Sequence, residues 1–297
     1  MRSSLMGSLY LKLLYPLMDM LALPYCLLLG RKRKVLKEEM ERLFKGRFGN
    51  REIALMVKDS FRLYLKRQVE NLFFGRFGEE CLEDLTSVEG LENIEGAVKK
   101  GQGVILLLSH FGSFLIPLPL LGFRGFKVNQ ITGRVLSSGA VSKMIWKWRK
   151  WEADRLPIQF IGVAGFLRPV YDALKRGEIV AVAFDGREGK KWVPVRFIER
   201  TALFSPGPFN LALKTGAAII PMFAIRQPDN RHRIIFMEEF ELTNTGDING
   251  TLTLNTKKYA EMLEKYVLMY PSHFGATLLD IRLNAENGLA QPLFREN

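Results

Sequence analysis

The stretch Gly103-Val-Ile-Leu-Leu-Leu108, followed at once by Ser109-His110-Phe-Gly-Ser113, constrains the fold of this chain more than any other. A short apolar run with a Gly-rich entry suits a strand buried on both faces, as in parallel sheets. The apolar segment 115–121 comes next, so the pattern predicts strand, turn, helix, with His110 at the carboxyl end of a central parallel strand. In open α/β sheets that edge is where ligands bind. Imidazole is also the side chain whose ordinary pKa suits a general base near neutral pH. A core histidine hydrogen-bonded to a neighbour satisfies the same pattern.

A second stretch echoes the first. Leu174-Lys-Arg-Gly177-Glu-Ile-Val-Ala-Val-Ala-Phe-Asp185 repeats the order of basic pair, glycine, apolar run and one polar residue seen from Val98 to His110. Each reads as a helix end, a glycine cap and a buried strand. If both strands run parallel in one sheet, His110 and Asp185 leave it on the same edge. Further strands are predicted at 127–132, 157–161, 217–225 and 233–240, the last at the sheet edge. Helices are predicted at 35–44, 53–74, 91–100, 166–175, 206–214 and 251–270. Ser205 and Pro206 supply cap and first-turn residues for the fifth of these. The alternation predicts an α/β fold, a mostly parallel central sheet with helices on both faces. The predicted organisation is an apolar N-terminal helix with its basic flank (1–34), one α/β domain (35–283) and a poorly ordered tail (284–297).

Residues 5–29 are strongly apolar; as one helix they would reach roughly 37 Å at 1.5 Å per residue, enough to cross a bilayer core. Lys12, Pro16, Asp19 and Pro24 interrupt them. Ser4, Ser8, Lys12, Tyr15 and Asp19 fall on one helical stripe, which fits a helix lying in the membrane interface or one packing its polar side against protein. No small-residue cleavage site follows. Arg31-Lys-Arg-Lys34 comes directly after, as an anionic-lipid contact would. In 53–74, Val57, Phe61, Tyr64, Val69 and Leu72 form an apolar stripe beside a basic face of Lys58, Arg62 and Lys66. Residues 141–152 mix three Trp with Lys and Arg, which suits core packing or a membrane interface. The net charge of +12 favours anionic partners. No helix-turn-helix, zinc-finger or aromatic RNA-binding signature accompanies it, so nucleic acid is set aside. Cys26 and Cys81 offer neither metal spacing nor a disulfide framework.

Taken together, these blocks resemble the bacterial lipid A biosynthesis lauroyl/myristoyl acyltransferases of the lysophospholipid acyltransferase superfamily. The resemblance rests on 90–97 with 101–114, on Leu174-Lys-Arg-Gly177 with Ala183-Phe-Asp185, on 193–197 with 206–223, and on Tyr270-Pro271. It implies a membrane-associated O-acyltransferase at the cytoplasmic face of the bacterial inner membrane, without metal or cofactor. The donor would be an acyl-carrier protein or acyl-CoA, the acceptor a lipid or glycolipid, and the surface an anionic membrane. His110 would be the base, with Ser109, Gly112, Ser113, Arg134, Arg168, Arg187 and Arg226 around the substrates. One position departs from the pattern. The family's acid, five residues beyond the histidine, is here Leu115. Either Asp185 or Glu188 replaces it, or His110 works alone, or the chain is a catalytically inactive lipid-binding relative.

Overall fold

The computed structural model describes residues 2–132, 147–148, 151, 154–162 and 167–295. The chain forms two compact units, each assembled from separated stretches. One comprises Met1–Tyr15, Arg67–Ala183 and Asn210–Glu241; the other comprises Pro16–Lys66, Phe184–Phe209 and Leu242–Asn297.

The first unit is built on a seven-stranded sheet. Its strands are β1 (Thr86–Glu89), β2 (Val104–Leu108), β3 (Val128–Thr132), β4 (Gln159–Gly162), β5 (Ile179–Ala183), β8 (Ala218–Arg226) and β9 (His232–Phe236). The order across the sheet is β1-β9-β8-β2-β5-β3-β4. All neighbours run parallel except β8 and β9. The helices of this unit include α4 (Glu79–Leu85), α5 (Leu91–Lys99), α6 (Pro117–Phe123) and α7 (Arg168–Lys175), with α8 (Gly207–Thr215) entering β8. The central place of β2 follows from its composition: all five residues are apolar and buried, so neither face can be left to solvent. Gly103 makes its entry possible. Its φ is +79°, and a Cβ there would stand 2.4 Å from the Leu174 carbonyl oxygen, so only glycine lets α7 and β2 approach so closely.

Two features of the sheet differ from the sequence reading. The strand predicted at 233–240 covers His232–Phe236 and is not an edge; β1 lies outside it, paired in parallel from Thr86↔His232 to Glu89↔Ile235. β1 reads Thr-Ser-Val-Glu, with little apolar signal, and is held by its ladder and by Thr86 Oγ1 donating to the Leu82 carbonyl at 2.7 Å.

In the second unit, β6 (Val193–Phe197) and β7 (Arg200–Phe204) form a separate antiparallel hairpin. It belongs with α2 (Gly30–Leu43), α9 (Ile248–Met269) and α10 (Gly275–Glu286). Phe184 stacks on Phe204 at 4.4 Å and meets Tyr259 at 4.6 Å. Asp247 caps α9 by accepting from the Gly250 N–H at 2.6 Å. Residues 284–295 are not the loose tail that the sequence suggests. α10 continues to Glu286, and Leu293 and Phe294 are buried. The Leu203 N–H donates to the Leu293 carbonyl at 2.6 Å and the Arg295 N–H to Thr201 at 3.0 Å. The tail thus pairs with β7, whose backbone groups would otherwise be unmet.

α1 (Arg2–Leu28) and α3 (Asn50–Phe73) each contribute to both units. Two residues of the polar stripe of α1, Tyr15 and Asp19, are held by side chains of α3. Tyr15 donates to Glu70 Oε1 at 2.6 Å, and Asp19 pairs with Lys66 at 2.6 Å, so Lys66 is buried rather than part of an open basic face. Buried Leu11, Tyr15, Ala22 and Cys26 lie along the same side, while Leu13, Met20, Leu23, Leu27 and Leu28 are exposed. No single described helix is long and apolar enough to cross a membrane; α1 meets α2 at a bend of 93°.

Candidate active site

β2 ends at Leu108, and the chain then turns sharply. The turn is braced by β8, which at nine residues outruns the five of β2. Its register with β2 stops at Leu107↔Pro221, leaving Met222–Arg226 to form a wall beside the turn. There the Ser113 N–H donates to the Ala224 carbonyl at 3.0 Å, and Phe111 packs edge-on to Phe223 at 6.2 Å. Gly112, at φ +60°, supplies the left-handed step that reverses the chain. The Ile116 N–H closes back on the Ser113 carbonyl at 3.0 Å before α6 starts. Ser109 is buried, and its hydroxyl has no hydrogen-bond partner among the described residues. Gly112 and Ser113 therefore shape the turn through their backbones.

His110 is half-buried at the head of this turn. Its ring stands edge-to-face against Phe114, with centroids 4.9 Å apart and planes at 78°. The guanidinium of Arg67 lies 5.9 Å from the centre of the Phe114 ring. Leu115, next in the chain, is also half-buried.

Arg226 closes β8 but is buried, and its guanidinium is committed to Glu70. Glu70 Oε1 also accepts from Tyr15 and lies 3.2 Å from His232 Nε2, without the geometry of a hydrogen bond. The Arg226 guanidinium sits 4.8 Å over the Tyr15 ring. Burial alone would push the Glu70 carboxyl up, but the Arg226 charge, with the hydrogen bond from Tyr15, holds it far below the carboxylate range. Burial, then the Arg226 charge, push the His232 imidazole down, so it stays neutral. This cluster is what the sequence reading missed. Glu70 sits next to the apolar Val69 on α3, and its partners lie 55 and 156 residues away in the chain; the one local signal is an acid beside the apolar stripe of a helix whose basic residues outnumber its acidic ones.

Arg168 heads α7 and is exposed, 3.8 Å from Asp172, at an open groove of about 560 Å³ lined with Asn129, Gln159, Ile161 and Arg176. Arg134 lies outside the described residues, as does most of 141–152. Of that segment, Trp148 and Trp151 are exposed, and the Trp148 indole N–H donates to the Leu72 carbonyl at 3.0 Å.

In the second unit, Asp185 is buried and Glu188 exposed. Arg187 builds the loop that carries them. Its Nε donates to the Asp185 carbonyl at 2.9 Å, and its Nη1 to Leu203 at 2.9 Å and Pro292 at 3.3 Å. The guanidinium also sits 4.5 Å over the Trp192 ring, and its Nη2 has no hydrogen-bond partner among the described residues. Burial lowers its pKa to about 10, against the opposing pull of Asp185; it remains a cation at neutral pH.

A half-buried histidine thus stands at the head of a strand–turn–helix in a mostly parallel sheet. The family model described as bacterial lipid A biosynthesis acyltransferase matches residues 8–275. The chain is 24% identical over 261 residues to the lipid A biosynthesis palmitoleoyltransferase of Escherichia coli, covering 83% of this chain and 77% of that one. A lipid A biosynthesis acyltransferase of Shigella flexneri matches to the same extent. The lipid A biosynthesis lauroyltransferase of Escherichia coli is 25% identical over 194 residues, 64% of this chain and 59% of that one. The chain belongs to the bacterial lipid A biosynthesis acyltransferase family, whose chemistry is acyl transfer to a lipid acceptor.

Proposed function

We propose that this protein moves a fatty acyl group from a thioester donor, acyl-carrier protein or acyl-CoA, to a hydroxyl of a lipid A-type glycolipid, with His110 as general base. The observation that carries this reading is a half-exposed His110 at the carboxyl end of the buried central strand β2, framed by the overhang of β8. The imidazole takes the proton of the acceptor hydroxyl as its oxygen attacks the thioester carbonyl carbon. The tetrahedral intermediate then collapses with loss of the C–S bond, and the imidazolium returns the proton to the departing thiolate. Asp185 is the carboxylate proposed to orient the ring, with Glu188 in the following loop as the substitute. Arg168 and Arg187 are the cations proposed for the substrates' phosphates. Incubation of the full-length protein with acyl thioester and lipid A precursor, followed by mass spectrometry of the lipid, tests the reading; an unmodified acceptor would favour the inactive lipid-binding relative, to which Leu115 points.

The site is proposed to work at the cytoplasmic face of the inner membrane, with α1 lying on the surface. The support is that Tyr15 and Asp19 of the polar stripe pair with Glu70 and Lys66, while Leu13, Leu23, Leu27 and Leu28 are exposed and lead into Arg31-Lys-Arg-Lys34. Replacing Leu13, Leu23 and Leu28 by Gln is expected to weaken sedimentation with phosphatidylglycerol vesicles by at least about tenfold, since burying one such side chain is worth roughly 1.5–3 kcal/mol. These side chains are already exposed, so thermal stability should hold. Molar salt, which shortens screening from about 8 Å to about 3 Å, should remove the basic run's share. Vesicle binding indifferent to both changes would refute the surface role of α1.

A further inference from the structure

We propose that Phe114 is a positioning residue for His110, its ring fixing the imidazole plane where Leu115 provides no carboxylate, and that Arg67 in turn steadies Phe114. The inference rests on the reading of His110 as the base. A histidine side chain turns about two bonds, and a base that must receive a proton along one line needs its plane held. Within the turn, the ring that meets His110 is that of Phe114, at 4.9 Å and 78°, inside the range in which aromatic rings attract edge to face. This contact is built into the backbone. The positive φ of Gly112 turns the chain back on itself, and the Ser113 N–H to Ala224 bond pins the reversal to β8 one residue before Phe114. The far partner is Arg67 of α3, whose guanidinium lies 5.9 Å from the Phe114 ring centre, at the limit of a cation–π contact. Leu115, next in the chain, is aliphatic and cannot hydrogen-bond the imidazole.

The test is steady-state transfer by the full-length protein with acyl thioester and lipid acceptor, comparing Phe114→Leu, Phe114→Tyr, Arg67→Gln and His110→Ala. Phe114→Leu keeps the apolar bulk but loses the ring. It is expected to lower kcat by up to about 10²-fold, the scale of a misplaced catalytic group, with KM for both substrates and the melting temperature little changed. Phe114→Tyr, which retains the ring, should recover most of the loss, and Arg67→Gln should fall between. Loss of kcat in step with melting temperature in both Phe114 variants would make the contact merely structural and overturn the inference. Phe114→Leu with unaltered kcat beside an inactive His110→Ala would overturn the positioning role and leave His110 as the base. An active His110→Ala would overturn both.

Discussion

Arg226→Ala is expected to destabilise the protein by about 3–5 kcal/mol, the cost of stripping one partner from a buried ion pair. Glu70 is fully enclosed and draws its compensation from Arg226 and from the Tyr15 hydroxyl. Without the guanidinium its charge would be left in the interior, or its carboxyl would have to take up a proton. The double variant Glu70→Gln with Arg226→Met removes both charges together and should recover much of the loss, because the desolvation cost disappears with the attraction. Denaturant unfolding of the three proteins reads this directly; an Arg226→Ala variant within about 1 kcal/mol of the wild type would show that the pair is no lock, since that is the scale of an exposed ion pair.

The same cluster sets a pH dependence. The folded pKa of His232 is depressed, so as pH falls through about 6.5 the unfolded chain binds a proton that the native state refuses, and stability drops. The folded pKa of Glu70 is depressed too, so its contribution is present above the ordinary carboxylate pKa and is lost at still lower pH. Both act in the same direction. His232→Gln, neutral at every pH, should flatten the fall in melting temperature between pH 7.5 and 5.5 while leaving the steeper acid limb.

The elements legible in the sequence were those whose own residues demand burial. β2 and β5 are apolar throughout, and no other environment accommodates them. His110, two residues past β2, was therefore placed by its strand. What stayed hidden depends on partners distant in the chain. β1 becomes a strand by pairing with β9, some 140 residues later, and Phe294 is ordered by β7. The polar stripe of α1 was visible, but the sequence could not choose between membrane interface and protein. Glu70 and Lys66 supply protein partners for Tyr15 and Asp19, two residues of that stripe. Arg226 shows the complementary limit. A strand-end arginine beside an expected anion site reads as a substrate contact, whereas its guanidinium is occupied by a carboxylate on α3.

His110→Ala should lower acyl transfer by about 10²–10⁴-fold, the range supplied by a positioned general base, with the fold intact because the ring is only half-buried. Asp185→Asn preserves shape but replaces an acceptor that fixes the imidazole tautomer, and such a change costs up to about 10⁴-fold in a Ser-His-Asp triad. Leu115→Glu separates the remaining readings. If Asp185 already orients the ring, a second carboxylate at a half-buried site adds a charge that must be desolvated and leaves transfer unchanged or lower. If instead the turn lost its only acid when Leu115 arose, restoring it should raise transfer well above the wild type, and Asp185→Asn should be silent. The expected result is the first: steep loss in His110→Ala and Asp185→Asn, no gain in Leu115→Glu. A gain of about tenfold in Leu115→Glu, equivalent to roughly 1.4 kcal/mol of transition-state stabilisation, together with a silent Asp185→Asn, would remove Asp185 from the mechanism and identify a weakened enzyme that uses His110 without a carboxylate.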